Sequence, residues 1–189
     1  MDTKRQLKKQ VLKVLEGARA GRIRFSFPVG DRLLTIGRQA FLSVAQAIRK
    51  DKITIYEAPY GQNGSSARYM YYNEIQISQI VNSMDESDAV HESLHAYFDL
   101  KKIAIPAIEE EAAAYVVSTM YLIMAKIPQK QWNIEPHATA GLLSHLVMAE
   151  QKAHPKKTPV VNQDAWDNLL WILKKDPIYD KVKSYTHDG

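Results

Sequence analysis

Two histidines and a glutamate stand close together in the stretch His91-Glu92-Ser93-Leu94-His95, which has the pattern HExxH. Residues four positions apart lie on one face of a helix, about one turn from each other. The imidazoles of His91 and His95 are therefore expected to bind one metal ion, with Glu92 beside it at the edge of the same face. Zinc binds imidazole nitrogen readily, and a catalytic zinc site keeps one position open for water. A carboxylate next to that water can act as a general base, so these five residues predict a zinc-dependent hydrolase.

The segment around this motif has the pattern of an amphipathic helix over residues 85–100. Apolar side chains recur there at spacings of three and four residues, namely at Val90, Leu94, Tyr97 and Phe98. Acidic residues stand in the first turn, where the helix dipole favours negative charge. Ser83 followed by Glu86 gives a capping-box pattern at the start of the helix. The two histidines border the apolar stripe, so we expect them at its half-buried edge.

Three consecutive glutamates, Glu109, Glu110 and Glu111, open a second predicted helix over residues 107–126. A carboxylate on a helix packed against the motif helix would complete a site of two histidines and one glutamate with an open position. Consecutive helical residues diverge by about 100°, so one of the three glutamates can face the metal. Three alanines follow Glu111 and allow the two helices to approach closely, so we predict Glu111 as the third ligand. Glu109 and Glu110 are predicted to face solvent as first-turn charges.

The segment that begins at Pro106 reads PAIEEEAAAY and, together with HExxH, resembles the gluzincins. In aminopeptidase-type gluzincins and small bacterial peptidase MA-like domains, HExxH is followed by a segment like P-x-W-L-N-E-G-x-A-x-Y, whose glutamate is the third zinc ligand. The resemblance places Glu111 on that glutamate, while Glu110 and Ala112 stand where the family has Asn and Gly. The segment also resembles E-x-E-A-x-x-F-A of the ImmA/IrrE-type metallopeptidases, and in that register Glu109 is the ligand.

The resemblance covers about residues 50–125 and implies an α+β, zincin-like fold. A small N-terminal β-sheet would precede the HExxH helix, and the C-terminal part, residues 128–189, would be mostly helical. The resemblance further implies Zn²⁺ as the cofactor and an extended peptide or protein as the substrate, bound at a strand edge above the motif helix. We expect that edge to be a predicted strand over residues 68–78, because an added strand gains main-chain hydrogen bonds there.

Further side chains are candidates for supporting roles. A tetrahedral intermediate needs a hydrogen-bond donor for its oxyanion. The candidates for this donor are Tyr115, His137 and His145. His145 stands among leucines on a helix predicted over residues 138–153, which favours a buried histidine with a structural partner. Asp99, four residues after His95, either orients a ligand histidine or pairs with a nearby lysine in solvent.

Sequence patterns predict a mixed α and β organisation. The predicted helices cover residues 3–20, 33–50, 85–100, 107–126, 138–153 and 164–175, and the predicted strands cover residues 22–27, 52–58 and 68–78. Pro28 is expected to end the first strand. The second and third strands are expected to form a hairpin around a loop at residues 59–66, and the tail, residues 185–189, is expected to be frayed.

The composition excludes several classes of protein. The chain has 189 residues, of which 46% are hydrophobic, and residues 1–189 are predicted to form one domain. It has no cysteine, which excludes disulfides, thiolate metal sites and a cysteine nucleophile. The formal net charge is +4. Part of it comes from residues 1–20, which we interpret as an amphipathic surface helix, so no nucleic acid is expected as a partner. No transmembrane segment or signal peptide is predicted, and the cytoplasm is the expected location.

These patterns together predict zinc-dependent hydrolysis of peptide bonds. Zinc would be held by His91, His95 and Glu111, and Glu92 would be the general base. The alternative is a catalytically inert protein of zincin fold that binds or regulates a partner. This alternative is suggested by the absence of the family's Asn-Glu-Gly core and of an obvious oxyanion donor.

Overall fold

A computed structural model of the chain describes residues 3–57, 67–70 and 72–180, and the backbone of residues 186–187. Within these residues the protein is an α+β structure with six α-helices and seven short strands. The helices are α1 (Thr3–Glu16), α2 (Arg38–Arg49), α3 (Ser83–Lys101), α4 (Ala107–Met124), α5 (His137–Ala153) and α6 (Gln163–Lys175). The strands are β1 (Phe25–Val29), β2 (Arg32–Ile36), β3 (Thr54–Glu57), β4 (Ala67–Met70), β5 (Glu74–Ile77), β6 (Ile105–Pro106) and β7 (Thr186–His187).

The antiparallel pair β1–β2 replaces the start of a predicted helix. Val29 pairs with Arg32, so Gly30 and Asp31 form a two-residue turn, and Gly30 has a positive φ of 56°. Glycine at the first central position is typical of such a tight hairpin turn. The helix was predicted to begin at residue 33. The observed helix α2 begins after β2, at Arg38. Pro28 does not end the first strand, because a two-stranded hairpin consists of edge strands, which tolerate proline.

A three-stranded sheet with the order β3-β5-β4 lies before the motif helix. β5 is its central strand, parallel to β3 and antiparallel to β4. The single strand predicted over residues 68–78 is thus two strands, because Asn73 adopts a positive φ of 57° and the chain reverses there. The predicted hairpin of the second and third strands is wrong, since β3 pairs with β5 in parallel. The predicted loop over residues 59–66 lies outside the described residues.

The motif helix α3 begins one residue later than its capping side chain, Asn82. The Asn82 side chain accepts hydrogen bonds from the backbone N–H groups of Met84 and Asp85, and the Asp85 carboxylate accepts one from the Asn82 N–H. The capping box predicted at Ser83 is therefore displaced by one residue to Asn82. At the other end of α3, Lys102 adopts a left-handed conformation that ends the helix and starts the short connection to α4.

Helix α4 lies against α3, α5 and α6 and is buried on most of its surface. A helix that is apolar nearly all round is expected at the centre of a core. The described residues share one hydrophobic core that extends from Leu7 in α1 to Tyr179, which lies in a 3-10 turn (Pro177–Tyr179) after α6. β7 pairs with β6 directly before α4, so the fraying predicted for the tail is wrong at these two residues. Among the described residues no helix has the length and apolar character needed to cross a membrane.

Candidate metal centre

The structure brings together the three predicted metal ligands. His91 and His95 lie on successive turns of α3, and Glu111 lies in the first part of the adjacent α4. His91 Nε2 is 3.6 Å from Glu111 Oε2, and His95 Nε2 is 3.7 Å from Glu111 Oε1. One donor atom from each residue lies within 4.8 Å of the other two. Ligand atoms around a tetrahedral zinc with bonds of 2.0–2.1 Å are about 3.3 Å apart, so this donor set fits a metal ion after a small adjustment.

Small side chains are buried on both helices that carry the candidate ligands. Ser93 and Ala96 on α3 are fully buried, as are the three alanines that follow Glu111 on α4. The Ser93 hydroxyl donates to the Ala89 carbonyl of its own helix, so its burial leaves no unpaired donor. The three alanines are buried, and α3 and α4 pack against each other.

The sequence-based prediction that Glu110 faces solvent is wrong. Instead of facing solvent it is 6% exposed, and its Oε1 lies 2.7 Å from His95 Nδ1. A carboxylate on the second nitrogen of a ligand histidine fixes the tautomer and the ring orientation, and leaves Nε2 free for a metal. Because Glu111 faces the ligand site, the 100° step of the helix turns Glu110 towards α3. The 100° rotation between neighbouring helical residues, applied to Glu111 as the residue that faces the histidines, is the feature of the sequence from which the contact of Glu110 with α3 could have been predicted.

The charges around these residues favour a cation. Burial alone would lower the pKa of His95, but the carboxylates of Glu111, Glu110 and Glu92 outweigh it and raise that pKa to about 10. Burial alone would raise the pKa of Glu111, yet the neighbouring histidines hold it below its ordinary value. Three carboxylates thus surround two imidazoles, and a divalent cation at their centre would balance this excess of negative charge.

Glu92 and Asp99 both contact Tyr69 on the edge strand β4. The Tyr69 backbone N–H donates to the Glu92 carboxylate, which brings the edge of the sheet next to the motif helix. The Tyr69 hydroxyl donates to Asp99. Neither role predicted for Asp99 is therefore observed: it accepts from a tyrosine, and the carboxylate that orients His95 is Glu110.

Two predicted candidates and one unpredicted residue line the His91 side of the site. The Tyr115 ring meets the rings of His91 and His137 edge-on, with centroids 5.1 Å and 4.8 Å away. Burial, with the nearby charge of His91, lowers the pKa of His137 to about 4, so its imidazole is neutral near pH 7. The Tyr115 hydroxyl lies 2.7 Å from that of Tyr179. Tyr179 stands 64 positions after Tyr115, and no motif in the sequence identifies it.

His145 does not belong to this group of buried side chains. It is exposed on α5, between Leu142 and Leu146, which are 61% and 51% exposed. The buried face of α5 consists instead of Thr139, Ala140, Gly141, Leu143, Ser144 and Val147. The prediction of a buried His145 is wrong because the apolar residues of α5 extend around the helix and do not by themselves define which face packs on α4.

Comparison of the chain with models of known protein families, with curated protein sequences and with solved structures gives no match. The function of the site therefore has to follow from its own geometry and chemistry.

Proposed function

We propose that this protein is a zinc-dependent peptidase of the gluzincin type, with a zincin-like fold. One observation carries the proposal: donor atoms of His91, His95 and Glu111 converge within 4.8 Å. Glu92 of the same motif is close enough for its charge to raise the pKa of His95. Two imidazoles and one carboxylate are a typical donor set of catalytic zinc and leave a coordination position open. A zinc ion held there would polarise the carbonyl of the scissile bond and lower the pKa of the attacking water.

Glu92 is the general base in this proposal. Its carboxylate takes a proton from the attacking water as the new C–O bond forms, and passes it to the leaving amine as the C–N bond breaks. The hydrogen bond from the Tyr69 N–H holds the Glu92 carboxylate at the sheet edge until a substrate binds there. A neutral His137 and the tyrosines beside His91 are the nearby N–H and O–H groups available to an oxyanion.

The position of β4 supports an extended peptide as the substrate. Among the described residues β4 is one of the two edge strands of its sheet, and Tyr69 on β4 contacts the proposed base directly. A peptide that adds to this edge by main-chain hydrogen bonds would run past Glu92. In this proposal the site of the reaction at Glu92 and the peptide-binding edge of β4 therefore lie next to each other.

The test uses the wild-type chain and a Glu92→Gln variant. After chelation and reconstitution, both proteins should bind one zinc ion per chain, because Glu92 is not a ligand. Hydrolysis of a denatured-protein or peptide mixture should fall about 10²–10⁴-fold in the variant, the usual contribution of a general base. Zinc content by atomic spectroscopy and cleavage by mass spectrometry give the two readings.

Two outcomes would count against the proposal. Full activity of Glu92→Gln would remove Glu92 from the role of base. A wild-type chain that binds zinc stoichiometrically and cleaves no member of a broad peptide library would favour the alternative, an inert binding or regulatory protein.

A further inference from the structure

The two histidines of the site differ in what holds their rings. The Nδ1 atom of His95 lies 2.7 Å from the Glu110 carboxylate. Among the described residues, the polar contact of His91 is that of its Nε2 with Glu111, and its Nδ1 has no hydrogen bond. A histidine that binds a metal generally has its other ring nitrogen hydrogen-bonded, which fixes the orientation of the ring. The orientation of the His91 ring therefore depends on the side chains packed against it.

Two aromatic rings pack against the His91 ring, one from each helix of the site. The Tyr115 ring on α4 has its centroid 5.1 Å away, with an angle of 80° between the ring planes. The His95 ring on α3 is also 5.1 Å away, at 60°. Near-perpendicular packing at this distance is a favourable arrangement of aromatic rings. Tyr115 thus gives His91 a contact across the helix pair, as Glu110 does for His95.

The register of α3 and α4 explains why Tyr115 lies at this position. It follows Glu111 by four residues, so the two side chains share one face of α4. His91 precedes His95 by four residues on the facing surface of α3. Because Glu110 meets the later histidine and Tyr115 the earlier one, the two helices run in opposite directions past each other. The face of α4 that carries Glu111 therefore also brings a ring to His91.

The Tyr115 ring is itself held by two further residues. Its hydroxyl lies 2.7 Å from that of Tyr179, which is buried in the 3-10 turn after α6. The imidazole of His137, the first residue of α5, meets the ring edge-on at 4.8 Å and 87°. A tyrosine side chain turns about two torsions only, so contacts at its ring and its hydroxyl leave it little freedom. The ring that faces His91 is consequently fixed from three sides.

We propose that Tyr115 is a positioning residue for His91 and acts through its ring. The ring holds the imidazole in the orientation in which Nε2 faces Glu111, and so raises the affinity of the site for zinc. This role rests on the metal centre of the proposed function, but not on its peptidase activity. It is separate from the oxyanion role for which the Tyr115 hydroxyl is a candidate.

The experiment measures the zinc affinity of full-length chains by competition with a chromophoric chelator, with no substrate present. Tyr115→Leu removes the ring and should weaken zinc binding about 3- to 10-fold, the usual contribution of an edge-to-face ring contact. Tyr115→Phe removes the hydroxyl but keeps the ring, so its zinc affinity should stay close to the wild-type value. Co²⁺ in place of zinc gives a second reading. Its visible absorption depends on the coordination geometry and should change in Tyr115→Leu but not in Tyr115→Phe.

Tyr121→Leu is the matched control. Tyr121 also lies on α4 and is buried, but its hydroxyl donates to Glu86, which is not a proposed ligand. The zinc affinity of this variant should equal that of wild type. Melting curves recorded without zinc verify that each variant folds. If Tyr115→Leu does not fold, Tyr115→Met decides in its place, because methionine fills the space with a flexible chain that has no ring.

The inference is overturned if the variant without the ring folds and binds zinc as tightly as wild type. It is also overturned if Tyr115→Phe loses as much affinity as Tyr115→Leu, because the hydroxyl would then carry the effect. An equal loss in Tyr121→Leu overturns it as well, because the effect would then be one of core packing in general. A wild-type chain that binds zinc but cleaves no peptide refutes the proposed peptidase and leaves the role of Tyr115 standing, whereas one that binds no zinc refutes both.

Discussion

Three consecutive glutamates of one helix occupy three different environments. Glu111 faces His91 and His95, and Glu110 is buried against His95. Glu109 is half-buried in the first turn, where negative charge is favourable. Residue type and spacing predicted that one of the three would face the metal, and the alanines that follow it identified Glu111. They did not predict Glu110, because the contact depends on how α4 is rotated about its own axis against α3, which no local pattern encodes.

At this scale we predict that Glu110→Gln weakens zinc binding about 10-fold or more. The amide keeps the size of the side chain and can still accept from His95 Nδ1–H, but it lacks the charge that makes the imidazole a stronger ligand. Zinc affinity by chelator competition gives the result. Glu109→Gln removes the same charge one residue earlier and should leave the affinity at the wild-type value. Equal affinities for the two variants would show that Glu110 has no supporting role.

At the scale of secondary structure, the helices were predicted better than the strands. The pattern of apolar residues located α3, α4, α5 and α6 to within a few residues of their ends. The strand after the turn at Gly30 was missed, because residues 33–36 also suit the start of a helix, and the turn at Asn73 was missed, because it lies within a run that also suits one longer strand. The parallel pairing of β3 with β5 joins strands that are not consecutive in the chain, and alternation within a strand cannot predict which partner it takes.

The capping of α3 gives a prediction at this scale. Asn82→Ala removes the acceptor for two backbone N–H groups and should lower the free energy of unfolding by about 1 kcal/mol. Asn82→Asp keeps an acceptor and should unfold close to wild type. Ser83→Ala, at the position where the sequence pattern placed the cap, should cost less than Asn82→Ala. Urea titration followed by circular dichroism measures all three, and a larger loss at Ser83 would restore the cap predicted from the sequence.

At the scale of the whole molecule, the candidate metal centre joins side chains of α3 to one of the central helix α4. A ligand that binds the folded chain and not the unfolded chain stabilises it by about 2.7 kcal/mol when its free concentration is 100 times Kd. A metal ion bound between α3 and α4 would stabilise the packing of the whole core, since α4 also packs against α5 and α6.

We therefore expect zinc to raise the melting temperature of the wild-type chain, and removal of zinc by a chelator to lower it again. Glu111→Ala, which removes one ligand, should show no more than a small shift at the same zinc concentration. Differential scanning calorimetry with and without zinc provides the comparison. A shift in Glu111→Ala as large as that in wild type would mean that zinc stabilises the protein from another place.

The hydrogen bond between Tyr69 and Glu92 has a consequence for the behaviour of the sheet. In the part of the chain that the structure describes, β4 is an edge strand, and unpaired edges recruit strands from other molecules and promote aggregation. The Glu92 carboxylate already takes the Tyr69 N–H and places a charged group at the edge. A foreign strand must displace this carboxylate before it can pair there. Glu92, the residue proposed to activate water, thus also protects the β4 edge from pairing with strands of other molecules. A peptide that pairs with the Tyr69 N–H releases the Glu92 oxygen from that hydrogen bond.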